Sequence, residues 1–317
     1  MNRRINTDSD MSLANIPSLS ANMARCGGLA LALALAACKA GPDYHGPAAA
    51  VPAPAAFARA SGIAGETGAA PAPRWWHGLG DPVLDALEAQ ALAGNPSLAA
   101  AAARLGQARA SLKQDKARLL PTVGAMGAVM HADLPGTGIG GVDTLNFYNA
   151  ALDASWELDL FGKQRRTVEA GRASADAAAD RVADAQVSLA AEVAQDYVLL
   201  RQRQQRLAAQ RHVVERLEAE MGLVRQRVAQ GTAADADVAR LARQLEEARQ
   251  ALATLSADRA AYLDALAVLA GVAPGALDAL LAPVGVDEGH LAVPLPPAAV
   301  AVGDPARLIA HRPDVRA

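Results

Sequence analysis

The chain has 317 residues, of which 52% are hydrophobic and only 3% aromatic, so alanine supplies much of its apolar content. This composition favours closely packed helices over a thick core. The net charge of −3, without a basic stripe, argues against a nucleic-acid partner. Both cysteines, Cys26 and Cys38, lie near the N-terminus, which excludes a disulfide framework.

Residues 1–37 are predicted to be a secretory signal peptide. Arg25 precedes the apolar run 29–37, which is too short to span a bilayer as a helix but suits the apolar part of a signal peptide. The start codon stays open among three methionines, Met1, Met11 and Met23.

Leu35-Ala36-Ala37-Cys38 resembles a bacterial lipobox, in which cleavage precedes the cysteine. The resemblance implies that Cys38 carries covalent diacylglycerol and N-acyl lipid, and no other cofactor is expected. Lys39 follows, where an aspartate often means retention in the inner membrane, so sorting to the outer membrane is permitted.

Residues 38–75 are rich in Ala, Pro and Gly and are predicted to form a lipidated extended tether. Gly80-Asp81-Pro82 then predicts a helix start, with aspartate at the N-cap and proline in the first turn. A short helix should run to Gly94.

Asn95-Pro96 predicts the start of a second helix, and Leu120-Pro121 its end. Between them, leucines recur every seven residues and indicate a coiled-coil seam: Leu98, Leu105, Leu112 and Leu119. A first strand is predicted at about 122–133, although its alternation is poor. Residues 134–143, rich in Gly and Pro, are predicted to be a loop.

A second strand is predicted at about 147–160, where apolar and polar residues alternate. The apolar positions are Tyr148, Ala150, Leu152, Ala154, Trp156, Leu158 and Leu160. The opposite positions are Asn149, Ala151, Asp153, Ser155, Glu157 and Asp159. The length and the two faces suit a strand that crosses a membrane.

A long helix is predicted from Lys163 to Gln230, which at 1.5 Å per residue would reach ~100 Å. Its apolar seam steps by seven with one step of four, a stutter that straightens the coil: Val168, Ala175, Val182, Leu189, Val193, Leu200, Leu207, Val214, Met221 and Val228. Gln230-Gly231-Thr232 breaks it. A further helix follows after a short turn, so residues 163–271 should fold as an antiparallel hairpin.

The sequence offers no case for catalysis, and we expect neither an enzyme nor a metal site. The six histidines share no metal-ligand spacing. The Arg- and Gln-rich run 201–211 is interpreted as a solvated coiled-coil face rather than a nucleic-acid patch, because it contains glutamines instead of aromatics.

The segment 155–165, Ser-Trp-Glu-Leu-Asp-Leu-Phe-Gly-Lys-Gln-Arg, is similar to the strand-to-helix signature of TolC-like outer-membrane efflux proteins, specifically the NodT-type lipoprotein branch. Further motifs resemble that family in the same order: Gly41-Pro42-Asp43-Tyr44, Trp75-Trp76, Gly80-Asp81-Pro82-Val83-Leu84, Gln230-Gly231-Thr232 and His311-Arg312-Pro313-Asp314. The resemblance covers residues 38–317.

The resemblance implies a mainly α fold with a small β part, half of a TolC-like protomer. It further implies a homotrimer in the outer membrane of a Gram-negative bacterium, lipid-anchored, with its body in the periplasm. The channel would belong to a tripartite, type I secretion-like efflux system, with a periplasmic adaptor and an inner-membrane pump as partners. The expected pore-lining residues are Asp153, Glu157 and Asp159. The expected adaptor-contacting tip consists of Arg227, Gly231, Thr232, Asp235 and Asp237.

The family has two repeats per chain. Here residues 76–271 correspond to the first, 272–303 to a linker, and 304–317 to the start of a truncated second repeat. On this interpretation the chain is expected to be an incomplete, non-conducting form. The alternative is a structural periplasmic coiled coil or adaptor-type lipoprotein without pore activity, although a membrane-length strand before the long helix favours the channel.

Overall fold

A computed structural model describes residues 73–135, 142–283, 293–297, 303 and 305–317. The predicted signal peptide, Cys38, nearly all of the tether and much of the linker lie outside the described residues. Residues 111–172 belong to one compact unit, and the described parts of 73–110 and 173–317 belong to another. The predicted fold class, mainly α with a small β part, is confirmed.

The helical part begins with a 3-10 turn, Trp75–Leu79, followed by α1, Pro82–Gly94, and α2, Pro96–Ala117. The carboxylate of Asp81 accepts hydrogen bonds from the backbone N–H groups of Val83 (2.9 Å) and Leu84 (3.3 Å). Asp81 is therefore the predicted N-cap, since it satisfies amides that have no partner inside the helix.

The sheet consists of two antiparallel strands, β1 (Thr122–Pro135) and β2 (Val142–Ser155). Thr122 pairs with Ser155 at one end and Pro135 with Val142 at the other. The predicted second strand, 147–160, was wrong at both ends. It begins earlier because β1 continues to Pro135. It ends at Ser155 because Pro121, which has no N–H, precedes Thr122, the β1 residue that pairs with Ser155. Among the described residues, 156–160 have no partner strand.

The predicted helical hairpin is confirmed as α3, Lys163–Ala229, and α4, Asp235–Leu269. Two cross-helix contacts show that the helices are antiparallel, because the partner number falls as the number in α3 rises. They are Arg203 Nε to Asp258 Oδ2 at 3.3 Å and Gln210 Nε2 to the carbonyl of Ala248 at 3.0 Å. Closer to the turn, Arg249 Nη2 of α4 also lies 2.7 Å from Glu218 Oε1 of α3.

Six of the ten predicted seam positions of α3 are buried, and the other four are half-buried. The buried members are Ala175, Leu189, Val193, Leu200, Leu207 and Met221. The largest apolar cluster joins this seam to residues of α1 and α4: Leu84, Leu87, Ala91, Leu189, Val193, Leu200, Leu263 and Leu266. Near the turn between α3 and α4, a smaller cluster contains Met221, Leu241 and Leu245.

The C-terminal ends of α1 and α4 meet at backbone distance. A Cβ placed on Gly94 would lie 2.6 Å from the carbonyl oxygen of Ala270. The amide of Asn95 strengthens the contact, because its Nδ2 donates to the carbonyl of Leu269 (2.9 Å) while its Oδ1 accepts from the N–H of Leu98 (3.0 Å). Two short helices, α5 (Pro305–His311) and α6 (Pro313–Arg316), end the described chain, with Arg316 Nη2 3.4 Å from Asp180 Oδ1.

Among the residues that the structure describes, no helix is both long and apolar enough to cross a membrane.

Candidate functional site

The two faces of the β1–β2 sheet differ in chemistry. Residues directly opposite each other on antiparallel strands share a face. One face carries only apolar pairs over four successive rows: Val123/Ala154, Ala125/Leu152, Gly127/Ala150 and Val129/Tyr148. On this face Leu152 is 84% exposed and Tyr148 77% exposed. Nothing in the described residues covers these side chains, so this face suits an apolar surrounding.

The other face mixes polar and apolar side chains. Its pairs are Thr122/Ser155, Gly124/Asp153, Met126/Ala151, Ala128/Asn149, Met130/Phe147, Ala132/Leu145 and Leu134/Asp143. Asp153 lies exposed on this face, away from Leu152, as the alternation predicted. Glu157 is also exposed, but it follows the last paired residue of β2. A carboxylate on this face is compatible with water and not with lipid.

Asp159 is positioned by the start of α3 and not by the sheet. Its carboxylate accepts a hydrogen bond from the backbone N–H of Arg165 (2.9 Å), and its carbonyl accepts one from Arg165 Nη2 (3.3 Å). Burial acts to raise the pKa of Asp159, but hydrogen bonds from the backbone of Arg165 and Gln164 lower it overall. Asp159 was predicted to line the pore because one strand was expected to carry both Asp153 and Asp159. That strand ends at Ser155, so the expectation that the strand aligns Asp159 with Asp153 was wrong.

The turn between α3 and α4 has a defined hydrogen-bond pattern. The N–H of Thr232 donates to the carbonyl of Arg227 (2.9 Å), and the N–H of Gly231 donates to that of Val228 (2.9 Å). These two bonds form a Schellman motif, in which the residue after the helix cap adopts the left-handed conformation. Gly231 has φ of 72°, which confirms the predicted need for positive φ at this position.

The charged residues of the tip lie where the helix dipoles favour their charges. Asp235 and Asp237 lie in the first turn of α4, and Arg227 lies in the last turn of α3. Negative charge at a helix N-terminus and positive charge at a C-terminus are both favourable. The side chain of Thr232 also donates to the carbonyl of Arg227 (3.0 Å). Local turn chemistry therefore explains these residues, and their contact with an adaptor stays a prediction.

The sequence interpretation missed a buried polar network. Tyr197 Oη donates to Asp81 Oδ2 (2.5 Å) and accepts from Arg201 Nε (3.0 Å). Arg201 Nη1 donates to Gln204 Oε1 (3.0 Å), and Gln204 Nε2 donates to the carbonyl of Leu281 (2.8 Å). Arg201 and Gln204 are only 5% and 3% exposed. The interpretation of the whole run 201–211 as a solvated face was therefore wrong for its first residues.

A signal for this network was present in the spacing. Val193, Tyr197, Leu200, Gln204 and Leu207 follow the alternating four–three steps of a coiled-coil core. Polar identity at two of these positions hid the pattern. Tyr197 is fully buried, and burial followed by the hydrogen bond to Asp81 raises its pKa to about 12.

Glu88 on α1 is fully buried. Neither of its carboxyl oxygens has a hydrogen-bond partner among the described residues. Burial, with a smaller contribution from the charge of Asp85, raises the pKa of Glu88 to about 8. Because a charged, unpaired carboxylate is costly in an apolar surrounding, Glu88 is held in its neutral form over much of the neutral pH range.

Within the described residues, no group of three or more His, Cys, Asp or Glu side chains has a geometry that could hold a metal ion.

Comparison with known proteins gives one family and several relatives. The profile of the family described as outer membrane efflux protein matches residues 87–272. The chain is 33% identical over 300 residues to the probable efflux pump outer membrane protein SepC of Pseudomonas putida, covering 91% of this chain and 60% of SepC. It is 26% identical over 186 residues to the probable outer membrane lipoprotein SilC of Salmonella typhimurium, covering 59% of this chain and 40% of SilC.

Among solved structures, the outer-membrane channel OprN matches with a TM-score of 0.69 and 30% identity, covering 88% of this chain and 60% of that chain. The chain thus spans little more than half the length of the proteins it resembles. The names of SepC and OprN describe outer-membrane transport components, and the name of SilC describes an outer-membrane lipoprotein.

Proposed function

Since the chain belongs to the outer membrane efflux protein family, we propose that it contributes to the wall of an outer-membrane channel through which an efflux system exports small molecules. Its location is the outer membrane, as for the relatives with which it aligns. The observation that carries the channel proposal is the two-faced β1–β2 sheet, which over four successive rows is apolar on one exposed face and mixed on the other.

The two faces suit a strand pair between lipid and water. In a transmembrane barrel, lipid-facing and lumen-facing side chains alternate along each strand. Leu152 and Tyr148 would face lipid, and Asp153 would line the pore. Glu157 would stand at the mouth of the pore, beyond the last paired residue. A helical coiled coil or adaptor without a pore has no use for this alternation.

The edges of the sheet support assembly with further strands. Unpaired backbone groups in lipid cost several kcal/mol each, so the free edges of β1 and β2 need partners. In the homotrimer that the family resemblance implies, strands beyond β1 and β2 would satisfy these edges. The α3–α4 hairpin, with α3 ~100 Å long, would lie in the periplasm.

The turn after α3 is the proposed contact with a periplasmic adaptor, which in turn would connect to an inner-membrane pump. Its candidate residues are Arg227, Gly231, Thr232, Asp235 and Asp237. Photo-crosslinkers at Thr232 or Asp235 should capture an adaptor hairpin in cells, whereas a crosslinker at exposed Val187 should not. Crosslinks from the turn to lipid alone would contradict this proposal.

The lipid anchor at Cys38 is proposed from the lipobox. Cys38→Ser should abolish acylation and leave the precursor uncut by the lipoprotein peptidase, whereas Cys26→Ser should change neither. Incorporation of labelled palmitate, compared by gel with the uncleaved form, reads out both effects. Unchanged labelling of the Cys38 variant would overturn the proposed anchor.

The pore assignment is tested by cysteine labelling at neighbouring positions on opposite faces. Asp153→Cys and Asn149→Cys should react with a charged, water-soluble maleimide in the assembled protein, because their side chains would face the lumen. Leu152→Cys and Tyr148→Cys should react far more slowly, because lipid would cover them. Equal labelling of all four positions would contradict the channel wall.

A further inference from the structure

The unit formed by residues 111–172 exposes a band of large apolar side chains just beyond the last paired row of the sheet. This apolar band consists of Leu120 (66% exposed), Trp156 (58%), Leu158 (60%), Leu160 (73%) and Phe161 (71%). Trp156 Nε1 donates to the carbonyl of Leu119 (3.2 Å), so the segments on the two sides of the sheet meet at the band. The band adjoins the sheet directly along the chain.

Basic side chains lie next to the band, before Leu120 on one chain segment and after Phe161 on the other. This basic collar consists of Lys113, Lys116, Arg118, Lys163 and Arg165, all of them exposed. The two segments lie side by side, since a Cβ on Gly171 would lie 3.4 Å from Leu112 Cδ1. Residues 111–120 and 156–166 together contain six basic and three acidic residues, whereas the whole chain has a net charge of −3. The collar is therefore a local reversal of the chain's charge.

The charges of the collar are weakly neutralised within the chain. Arg118 Nη1 lies 3.9 Å from Asp115 Oδ1, and Arg165 Nε lies 3.8 Å from Asp159 Oδ2, both at the outer limit of an ion pair. The Arg165 side chain is 74% exposed. Within the described residues, the three lysines of the collar make no ion pair, and each is exposed.

We propose that the basic collar binds the anionic headgroups of phospholipids in the leaflet that borders the Thr122/Ser155 end of the sheet. This inference rests on the proposed membrane location. Tryptophan occupies the boundary between hydrocarbon and headgroups, leucine and phenylalanine enter the hydrocarbon beside it, and Lys and Arg extend from there toward lipid phosphates. Cations beside a membrane surface attract anionic lipids. The order of apolar face, apolar band and basic collar along the chain matches that of hydrocarbon, boundary and phosphate.

The apolar band and the collar make separable contributions. The band and a lipid anchor would bind neutral and anionic bilayers equally, because neither depends on headgroup charge. Only the collar distinguishes phosphatidylglycerol from phosphatidylcholine. The part of binding that depends on phosphatidylglycerol should weaken with added salt, since the collar is solvent-exposed.

The test compares two triple variants of the full chain on phosphatidylcholine vesicles with and without phosphatidylglycerol. One variant removes three collar charges, by Lys116→Gln, Arg118→Gln and Lys163→Gln. The control removes three exposed charges from α3 and α4, by Arg206→Gln, Arg216→Gln and Arg243→Gln. Each cation near an anionic surface contributes roughly fivefold, so the collar variant should lose on the order of 100-fold in partition to phosphatidylglycerol vesicles. The control should bind like the unaltered chain.

Several outcomes would overturn the inference. Equal binding of both variants to phosphatidylglycerol vesicles would show that the collar does not contact headgroups. A lower mass of the collar variant in neutral detergent, with lipid binding unchanged, would show that the collar contacts another copy of the chain instead. Circular dichroism of each variant excludes unfolding as a cause. Failure of the unaltered chain to bind even neutral vesicles would instead count against the proposed membrane location.

Discussion

Large apolar side chains are buried in the helical unit but exposed on the two-stranded sheet. In the helical unit Leu200 and Leu266 are fully buried among other side chains of the chain. In the sheet Leu152 is 84% exposed and Val129 73% exposed. Removing apolar surface from water is the main favourable contribution to folding, so the helical unit obtains it within the chain. The apolar face of the sheet obtains it only from a surrounding such as lipid.

Charged residues also differ between the two regions, since some are buried in the helical unit. The helical unit buries Arg201 and Glu88, the first inside a hydrogen-bonded network and the second without any hydrogen-bond partner among the described residues. On the sheet, Asp153 is exposed. Burial in this protein therefore follows the position of a residue in its unit and not simply its polarity.

The largest expected effect concerns Glu88. The folded chain keeps its proton up to about pH 8, whereas the unfolded chain releases it near the ordinary pKa of 4.5. Ionisation thus favours the unfolded state as pH rises through this window, and the free energy of unfolding should fall by up to about 5 kcal/mol in total. Glu88→Gln should remove that fall, as measured by urea unfolding followed by circular dichroism at pH 5 and pH 8. An equal pH dependence in both proteins would contradict the prediction.

A cavity in the helical core should have the next largest effect. Leu266→Ala deletes a fully buried side chain and should lower the free energy of unfolding by about 2–5 kcal/mol. Val268→Ala, two residues away on the same helix and 66% exposed, should change it by less than about 0.5 kcal/mol. Equal losses would mean that α4 is not buried on the face that the structure shows.

Substitutions at Leu152 and Asp153 test the two faces of the sheet. Leu152→Arg places a charge on the face proposed to contact lipid, at an expected penalty of about 2–4 kcal/mol, whereas Asp153→Asn should be tolerated. The fraction of chain assembled in the outer membrane measures both. Urea unfolding of the helical unit should not respond to either change. Assembly defects of the same size for the two variants would refute the assigned faces.

The smallest expected effect compares two exposed glycines. A Cβ on Gly231 or on Gly222 would meet no atom within 4 Å, so only the backbone conformation distinguishes them. Gly231→Ala should destabilise by about 1 kcal/mol, because its φ of 72° is unfavourable for alanine. Gly222→Ala, inside α3, should stabilise by about 0.5–1 kcal/mol. Thermal unfolding of both variants measures the two stability changes. Changes of the same sign would contradict the Schellman turn.

Sequence reasoning succeeded where a single local signal fixes the outcome. The Asp81 cap, the break at Gln230-Gly231-Thr232 and the seven-residue seam of α3 each depend on residues within one or two helical turns. It failed at the end of β2, because the same alternation continues past Ser155 where no partner strand remains. Sequence reasoning also predicted that Arg201 and Gln204 are exposed to water, because it used their polar character and not the position of Gln204 in the heptad pattern.

The sequence by itself determined the helices, their caps, the reversal at Gly231 and the alternation of the strands, since these follow from neighbours along the chain. Tertiary structure alone decided which distant groups satisfy the buried polar side chains. Asn95 bonds to Leu269 across 174 residues, and Tyr197 bonds to Asp81 across 116. No local pattern encodes such partners, because a buried polar group is stabilised by whichever distant group packing brings within hydrogen-bond distance.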